Sequence, residues 1–146
     1  MQTKPRAIGY WITTGLVAAT LLAGGVAEVA LAPAVVATMR ALGYPLYFVT
    51  ILGVWKILGA VALVAPRLPR LKEWAYAGIF FDLTGAAASH AFSGDPLGKI
   101  ATPLILLVLA AASWALRPPS RTGRPASALP RTAQSLAAPE DVPATA

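Results

Sequence analysis

The 146-residue chain has no cysteine, a single histidine and few charges. Without thiols it can form no disulfide, iron–sulfur cluster or cysteine-based zinc site. With His90 as its one histidine, it cannot supply two-histidine haem ligation by itself. No glycine-rich dinucleotide loop follows a strand. Charged residues make up 12% of the chain, about half the share of an average soluble domain. A small water-soluble domain needs a polar coat, and this composition cannot supply one. Soluble enzymes, nucleic-acid binders and secreted scaffolds are thereby set aside.

What is abundant is apolar surface. Hydrophobic residues are 57% of the sequence and mean hydropathy is +0.65. Residues 8–27 hold no charge over 20 positions, the length that crosses about 30 Å of hydrocarbon. Residues 46–65 carry only Lys56, residues 74–92 carry Asp82 and His90, and residues 100–116 carry no charge. Open strands cannot cross lipid because their backbone groups go unpaired, so the runs are read as helices. The expected fold is all-α: a transmembrane up-down four-helix bundle with spans at about 8–30, 46–65, 74–92 and 100–116. A cleaved signal peptide is the alternative for the first run, since small residues at 25–27 resemble a cleavage site. Its apolar stretch is longer than the usual 7–15 residues, which favours a span.

The net charge of +6 would suggest nucleic acid in a soluble protein. Here the cations flank apolar runs, so orientation and anionic lipid account for them and no nucleic-acid partner is expected. Nine Lys and Arg fall on one side: Lys4, Arg6, Arg67, Arg70, Lys72, Arg117, Arg121, Arg124 and Arg131. Only Arg40 and Lys99 fall on the other. The asymmetry puts both termini in the cytoplasm of a cell inner membrane, as an even number of spans requires. Tyr10, Trp11, Trp74, Tyr76 and Trp114 are expected in the inner aromatic belt, and Tyr44 and Tyr47 in the outer one.

Between the first two spans, Pro33 to Leu42 has helical spacing of Val35, Val36, Met39 and Leu42, with Gly43 just past its end. A short interfacial helix is expected there, either as a connector or as a lid. The stretch 118–146 follows the last span, is rich in proline and alanine and lacks aromatics. It cannot bury a core and is expected to be a disordered cytoplasmic tail.

Ionisable groups inside a span cost on the order of 2.5–3.5 kcal/mol each near the bilayer centre on insertion scales. Lys56 and Asp82 stand about 12–14 Å from the cytoplasmic ends of consecutive helices. Equal depth predicts an ion pair. Gly78, Asp82, Gly85 and Ser89 form one stripe, and Gly53, Lys56 and Ala60 form its expected partner, where small residues allow close approach. Glu28 and His90 both lie near the outer side, and a hydrogen bond between them is geometrically open. The interior polar cluster is therefore Glu28, Lys56, Asp82, Ser89 and His90. It reads either as a structural clamp or as a site for proton movement or a polar ligand. No residue is assigned a catalytic or metal-binding role.

These residues carry a resemblance. Gly53-Val54-Trp55-Lys56-Ile57-Leu58-Gly59-Ala60, Leu71-Lys72-Glu73-Trp74-Ala75-Tyr76-Ala77-Gly78, Phe81-Asp82-Leu83-Thr84-Gly85-Ala86, Ser89-His90 and the linker end Leu42-Gly43-Tyr44-Pro45 resemble the DoxX-like family of small four-helix membrane proteins. The likeness covers roughly residues 8–117. It implies a four-helix bundle with a polar interior. The family takes its name from a small subunit of a membrane thiosulfate:quinone oxidoreductase, which implies a quinone-linked role beside a partner subunit. No cofactor is expected on this chain alone, so redox chemistry would need a diffusible quinone or that partner. The leading expectation is an accessory or partner-binding membrane subunit, with the lipid bilayer as its constant partner. A small proton-linked transporter, acting as an oligomer, is the alternative. A stand-alone quinone-dependent enzyme comes third.

Overall fold

The computed structural model describes residues 4–117. The tail at 118–146, expected to be disordered, lies outside the described residues. Within them there are five helices and no strand: α1 (Lys4–Val29), α2 (Pro33–Ala41), α3 (Leu46–Val64), α4 (Pro69–Phe92) and α5 (Leu97–Ala115). Three of these, α1, α3 and α5, are long and apolar enough to cross a membrane. The fourth long helix, α4, has 24 residues but is more polar, because Asp82, Ser89 and His90 interrupt its apolar run. α1 and α4 begin before the expected spans, each with a proline in its first turn (Pro5 and Pro69). Proline is tolerated there because the first helical N–H groups have no partner within the helix. α2 occupies the place expected for the interfacial segment.

Contacts fix the helix order. Thr14 meets Ser113, and Gly9 lies against Leu116, so α1 and α5 run antiparallel. Lys56 meets Asp82, and Lys72 meets Leu63, so α3 and α4 do too. The closest association is α1 with α3, followed by α4 with α5. At the α1–α3 crossing a Cβ placed on Gly25 would lie 2.7 Å from the Gly53 carbonyl oxygen, and one on Gly53 would lie 2.7 Å from that of Gly25. Only glycine permits this approach.

That crossing corrects the expected seam. Small residues on α3 and α4 do not bring those two helices together, since a Cβ on Gly59, Gly78 or Gly85 would meet nothing within 4 Å. The tight partner of α3 is α1, which the chain places beside it across the α2 segment. The small residues of α4 instead leave open space between α3 and α4.

The molecule is apolar outside and polar in places within. Trp55, Trp74, Phe81, Leu97 and Val108 are two-thirds or more exposed, whereas Thr14, Glu28, Lys72, Ser113 and Arg117 are buried. Water would penalise such a surface, and hydrocarbon suits it. Tyr10 and Tyr76 depart from the expected belt: both rings are buried, while Trp11, Trp74, Trp114 and Tyr47 are exposed. An apolar layer of Val17, Leu21, Ala60, Leu63, Ile79 and Leu83 fills the centre.

Helix ends place several polar groups. α1, α2 and α4 all close with paired backbone bonds of the Schellman type. Gly43 (φ 81°) and Gly94 (φ 69°) take the left-handed position at two of them. Leu31 takes it at the end of α1 with φ 49°, a conformation that costs a non-glycine residue on the order of 1–2 kcal/mol. The chain then turns at once into α2, which packs against α3.

Candidate functional site

Glu28 ends α1, Lys56 is mid-helix in α3, and Asp82 is mid-helix in α4. The α1–α3 glycine crossing sits one turn below Glu28 and brings its carboxylate to Lys56: Nζ donates to Oε1 over 2.5 Å. Asp82 Oδ2 stands 3.8 Å from the same ammonium. Lys56 therefore does face Asp82, as matched depth predicts, but its short bond is to Glu28. The expected pair is present, and the closer contact to Glu28 was missed because the end of α1 was placed nearer the outer surface than Lys56.

The carboxylates are incompletely satisfied. Glu28 Oε2 and Asp82 Oδ2 are buried without a hydrogen-bond partner among the described residues. The Glu28 side chain is 8% exposed, so the atom has no bulk water to turn to. Two carboxylates and one ammonium leave a formal excess of one negative charge. Buried acceptors of this kind are satisfied by a group carrying hydrogen-bond donors.

His90 does not bond to Glu28. Its Nδ1 lies 2.7 Å from Asp95 Oδ2, and Lys99 Nζ donates to Asp95 Oδ1 over 2.8 Å. The left-handed turn at Gly94 folds Asp95 back over the end of α4, which captures the imidazole before Glu28 can reach it. Asp95 lies outside the helices, and hydrogen bonds from Lys99 and then His90 hold its carboxyl below the ordinary aspartate range. Ser89 bonds with the Tyr44 hydroxyl over 2.7 Å, and the Tyr44 ring stacks on Phe48. Tyr44 is thus turned inward rather than to the outer belt.

Two clefts meet at the charged cluster. One, on the side expected to be outer, is about 460 Å³, lies beneath α2 and is lined by Glu28, Thr38, Met39, Tyr44, Phe48, Ser89 and His90 among others. The second, about 570 Å³, is a groove between α3 and α4, lined by Trp55, Leu58, Gly59, Leu71, Trp74 and Gly78. Leu52, Lys56, Phe81 and Asp82 line both. All five residues of the expected cluster border the outer cleft. Gly78 and Gly85 open these spaces, because a side chain at either position would project into them.

A second polar group, at the other end of the bundle, escaped the sequence reading. Ser113 bonds with Thr14 over 2.6 Å and with the Tyr76 hydroxyl over 2.7 Å. Arg117 lies 5.0 Å from the centre of the Tyr76 ring and pairs with Glu73 over 2.7 Å. Beside it, Lys72 is 1% exposed and donates to the carbonyls of Ala62 and Leu63, the C-terminal end of α3. Hydroxyls at 14 and 113 inside otherwise apolar runs were the available sign. Lys72 looked like one more cytoplasmic surface charge. Among the described residues no group of three or more His, Asp or Glu is arranged to hold a metal.

Comparison with known proteins agrees with this architecture. The family model for the DoxX-like family matches residues 12–113, which include all five helices apart from the first turns of α1 and the end of α5. No match was found among the curated proteins or the solved structures. Covering most of the chain, the match establishes that this membrane protein belongs to the DoxX-like family.

Proposed function

We propose that this chain is an accessory membrane subunit whose α3–α4 cleft binds a small amphipathic molecule, a quinone among them, on behalf of a partner. In this reading all four long helices span an inner membrane, up and down, and both termini are cytoplasmic. The positive-residue asymmetry supports that orientation, and the burial of Asp82 against Lys56 supports a span for α4 despite its polarity. The observation that carries the binding role is the meeting of a polar cleft and an apolar groove at Lys56 and Asp82.

The residues present fit an amphiphile with a polar ring and an apolar tail. Lys56 and the Tyr44 hydroxyl can donate to a carbonyl oxygen, and Trp55, Leu58 and Trp74 border the path of a tail. When bound, a quinone would supply two-electron, two-proton redox chemistry, with its electrons exchanged through the partner. Glu28 and Asp82 would hold protons at the headgroup.

Short-chain ubiquinone added to the purified protein in lipid nanodiscs tests this reading. Trp55 and Trp74 line the groove, so in a Trp11→Phe, Trp114→Phe background their fluorescence should be quenched saturably. Gly85→Leu, which fills the outer cleft, should weaken the effect at least tenfold. Quenching no different from simple partition into empty discs overturns the binding role. Mild-detergent purification from native membranes should retain a stoichiometric partner, and a solitary chain there overturns the accessory role.

A proton-linked permease is the second reading. The extra carboxylate beside Lys56 supports it, since one carboxylate can exchange a proton while the other holds the ammonium. In reconstituted vesicles Asp82→Asn should abolish flux, and the absence of flux in the unaltered protein ends the idea.

A further inference from the structure

The charge of the cluster says something about what the cleft accepts. Glu28, Lys56 and Asp82 sum to one formal negative charge, and the other titratable side chains lining the outer cleft, His90 and Tyr44, are bonded to Asp95 and Ser89. Glu28 Oε2 and Asp82 Oδ2 are both buried acceptors without a donor among the described residues. An occupant that matches them brings at least two hydrogen-bond donors and one positive charge. An ammonium has three donors and that charge, whereas a neutral carbonyl has neither. The aromatic side chains of Tyr44, Phe48 and Phe81 border the same space. A small inorganic cation would leave the adjoining groove of about 570 Å³ without a purpose, because that groove is almost wholly apolar.

We propose that the junction of the two clefts binds the ammonium of a cationic amphiphile, with Asp82 and Glu28 accepting its hydrogen bonds and the α3–α4 groove receiving its apolar tail. The inference rests on the reading of the cleft as an amphiphile site, but not on the occupant being a quinone. Lys56 keeps Glu28 in place and limits the excess to one charge, so the site suits monovalent heads over divalent ones. Gly78 and Gly85 supply the room that a chain and a head require.

Decylamine, decanol and decanoate share a chain and differ in head charge. Their saturable binding would be measured on the full chain in phosphatidylcholine nanodiscs, with empty discs as the blank. Decylamine should bind at least tenfold more tightly than decanol, and decanoate more weakly than either. Asp82→Asn should remove most of the preference for the amine, and Asp82→Glu, which keeps the charge, should retain it. Gly85→Leu should reduce binding of amine and alcohol alike. Unaltered size-exclusion behaviour of each variant separates lost binding from lost folding. Equal binding of amine and alcohol, or a preference untouched by Asp82→Asn, overturns the proposal. Saturable binding of ubiquinone without binding of decylamine overturns it too, while leaving the cleft as a quinone site. If none of the probes binds saturably, the cleft reading falls with it. Replacing part of the phosphatidylcholine by phosphatidylethanolamine tells the source of the ammonium. Competition assigns it to a lipid headgroup and undiminished decylamine binding to a free amine, and both support ammonium recognition.

Discussion

Gly25 and Gly53 face each other across α1 and α3, so closely that a Cβ on either would lie 2.7 Å from the other's carbonyl oxygen. This contact positions the charged site, because a Cβ on Gly53 would lie 2.9 Å from the Glu28 Cβ and Lys56 stands one turn along α3 from Gly53.

Gly53→Ala should therefore be damaging out of proportion to its size. The added carbon meets backbone, and also the Glu28 Cβ at 2.9 Å, neither of which can rotate away. A loss of about 1–3 kcal/mol is expected from such overpacking. Gly78→Ala adds the same carbon to open space and should be neutral, or stabilising by up to about 1 kcal/mol through helix propensity. Thermal unfolding of both variants in one detergent is the comparison. Equal melting temperatures would show that the crossing is not tight.

The unequal distances from Lys56 to its two carboxylates predict unequal couplings. Removing Lys56 alone, as Lys56→Met, should cost on the order of 3 kcal/mol, because it leaves facing carboxylates in an apolar interior. Double-mutant cycles should give a larger coupling for Glu28→Gln with Lys56→Met than for Asp82→Asn with Lys56→Met, since the contacts are 2.5 Å and 3.8 Å. The reverse order would mean that Asp82 is the principal partner. Additive effects in both cycles would mean no interaction at all.

Lys72 closes the end of α3 from the first turn of α4. Lys72→Met keeps much of the side-chain volume and removes the donor, leaving two buried carbonyls short of a partner. A cost of about 1–3 kcal/mol follows. Amide hydrogen exchange should accelerate in the last turn of α3 and leave the α1–α5 contact at Thr14 and Ser113 unchanged. Uniform acceleration along the chain would indicate a general loss of packing instead.

The outer turn should carry an acid-sensitive increment of stability. The Asp95 carboxyl is held below its ordinary 3.8 by Lys99 and then His90. A carboxyl depressed on folding stabilises the fold fully above its unfolded value, and that contribution fades as pH falls through the lower folded value. Unfolding followed from pH 6 downward should therefore show a loss below about pH 4 that Asp95→Asn abolishes. Because Lys99, its main partner, is half exposed, the increment should also shrink at high salt. An acid limb identical in the variant would assign the loss elsewhere.

Much of this protein was legible in one dimension. Long uncharged runs announce helices that cross lipid, because an apolar surface of this extent has no stable place in water and an unpaired backbone has none in hydrocarbon. The proline and glycine around positions 33–43 announce the short second helix, and the isolated charges at 28, 56 and 82 announce an interior polar site by their cost alone. Tertiary structure decided the pairing. The close seam of small residues was expected between α3 and α4, yet the Gly25–Gly53 crossing joined α1 to α3, gave Lys56 its short bond to Glu28, and left α3 and α4 parted by a cleft. Packing elsewhere buried Tyr10, Tyr76 and Lys72, and the turn at Gly94 brought Asp95 to His90. Hydropathy measures how much a residue wants to leave water. Which neighbour it finds depends on where backbones can come close, and that depends on the absence of side chains on two helices at once.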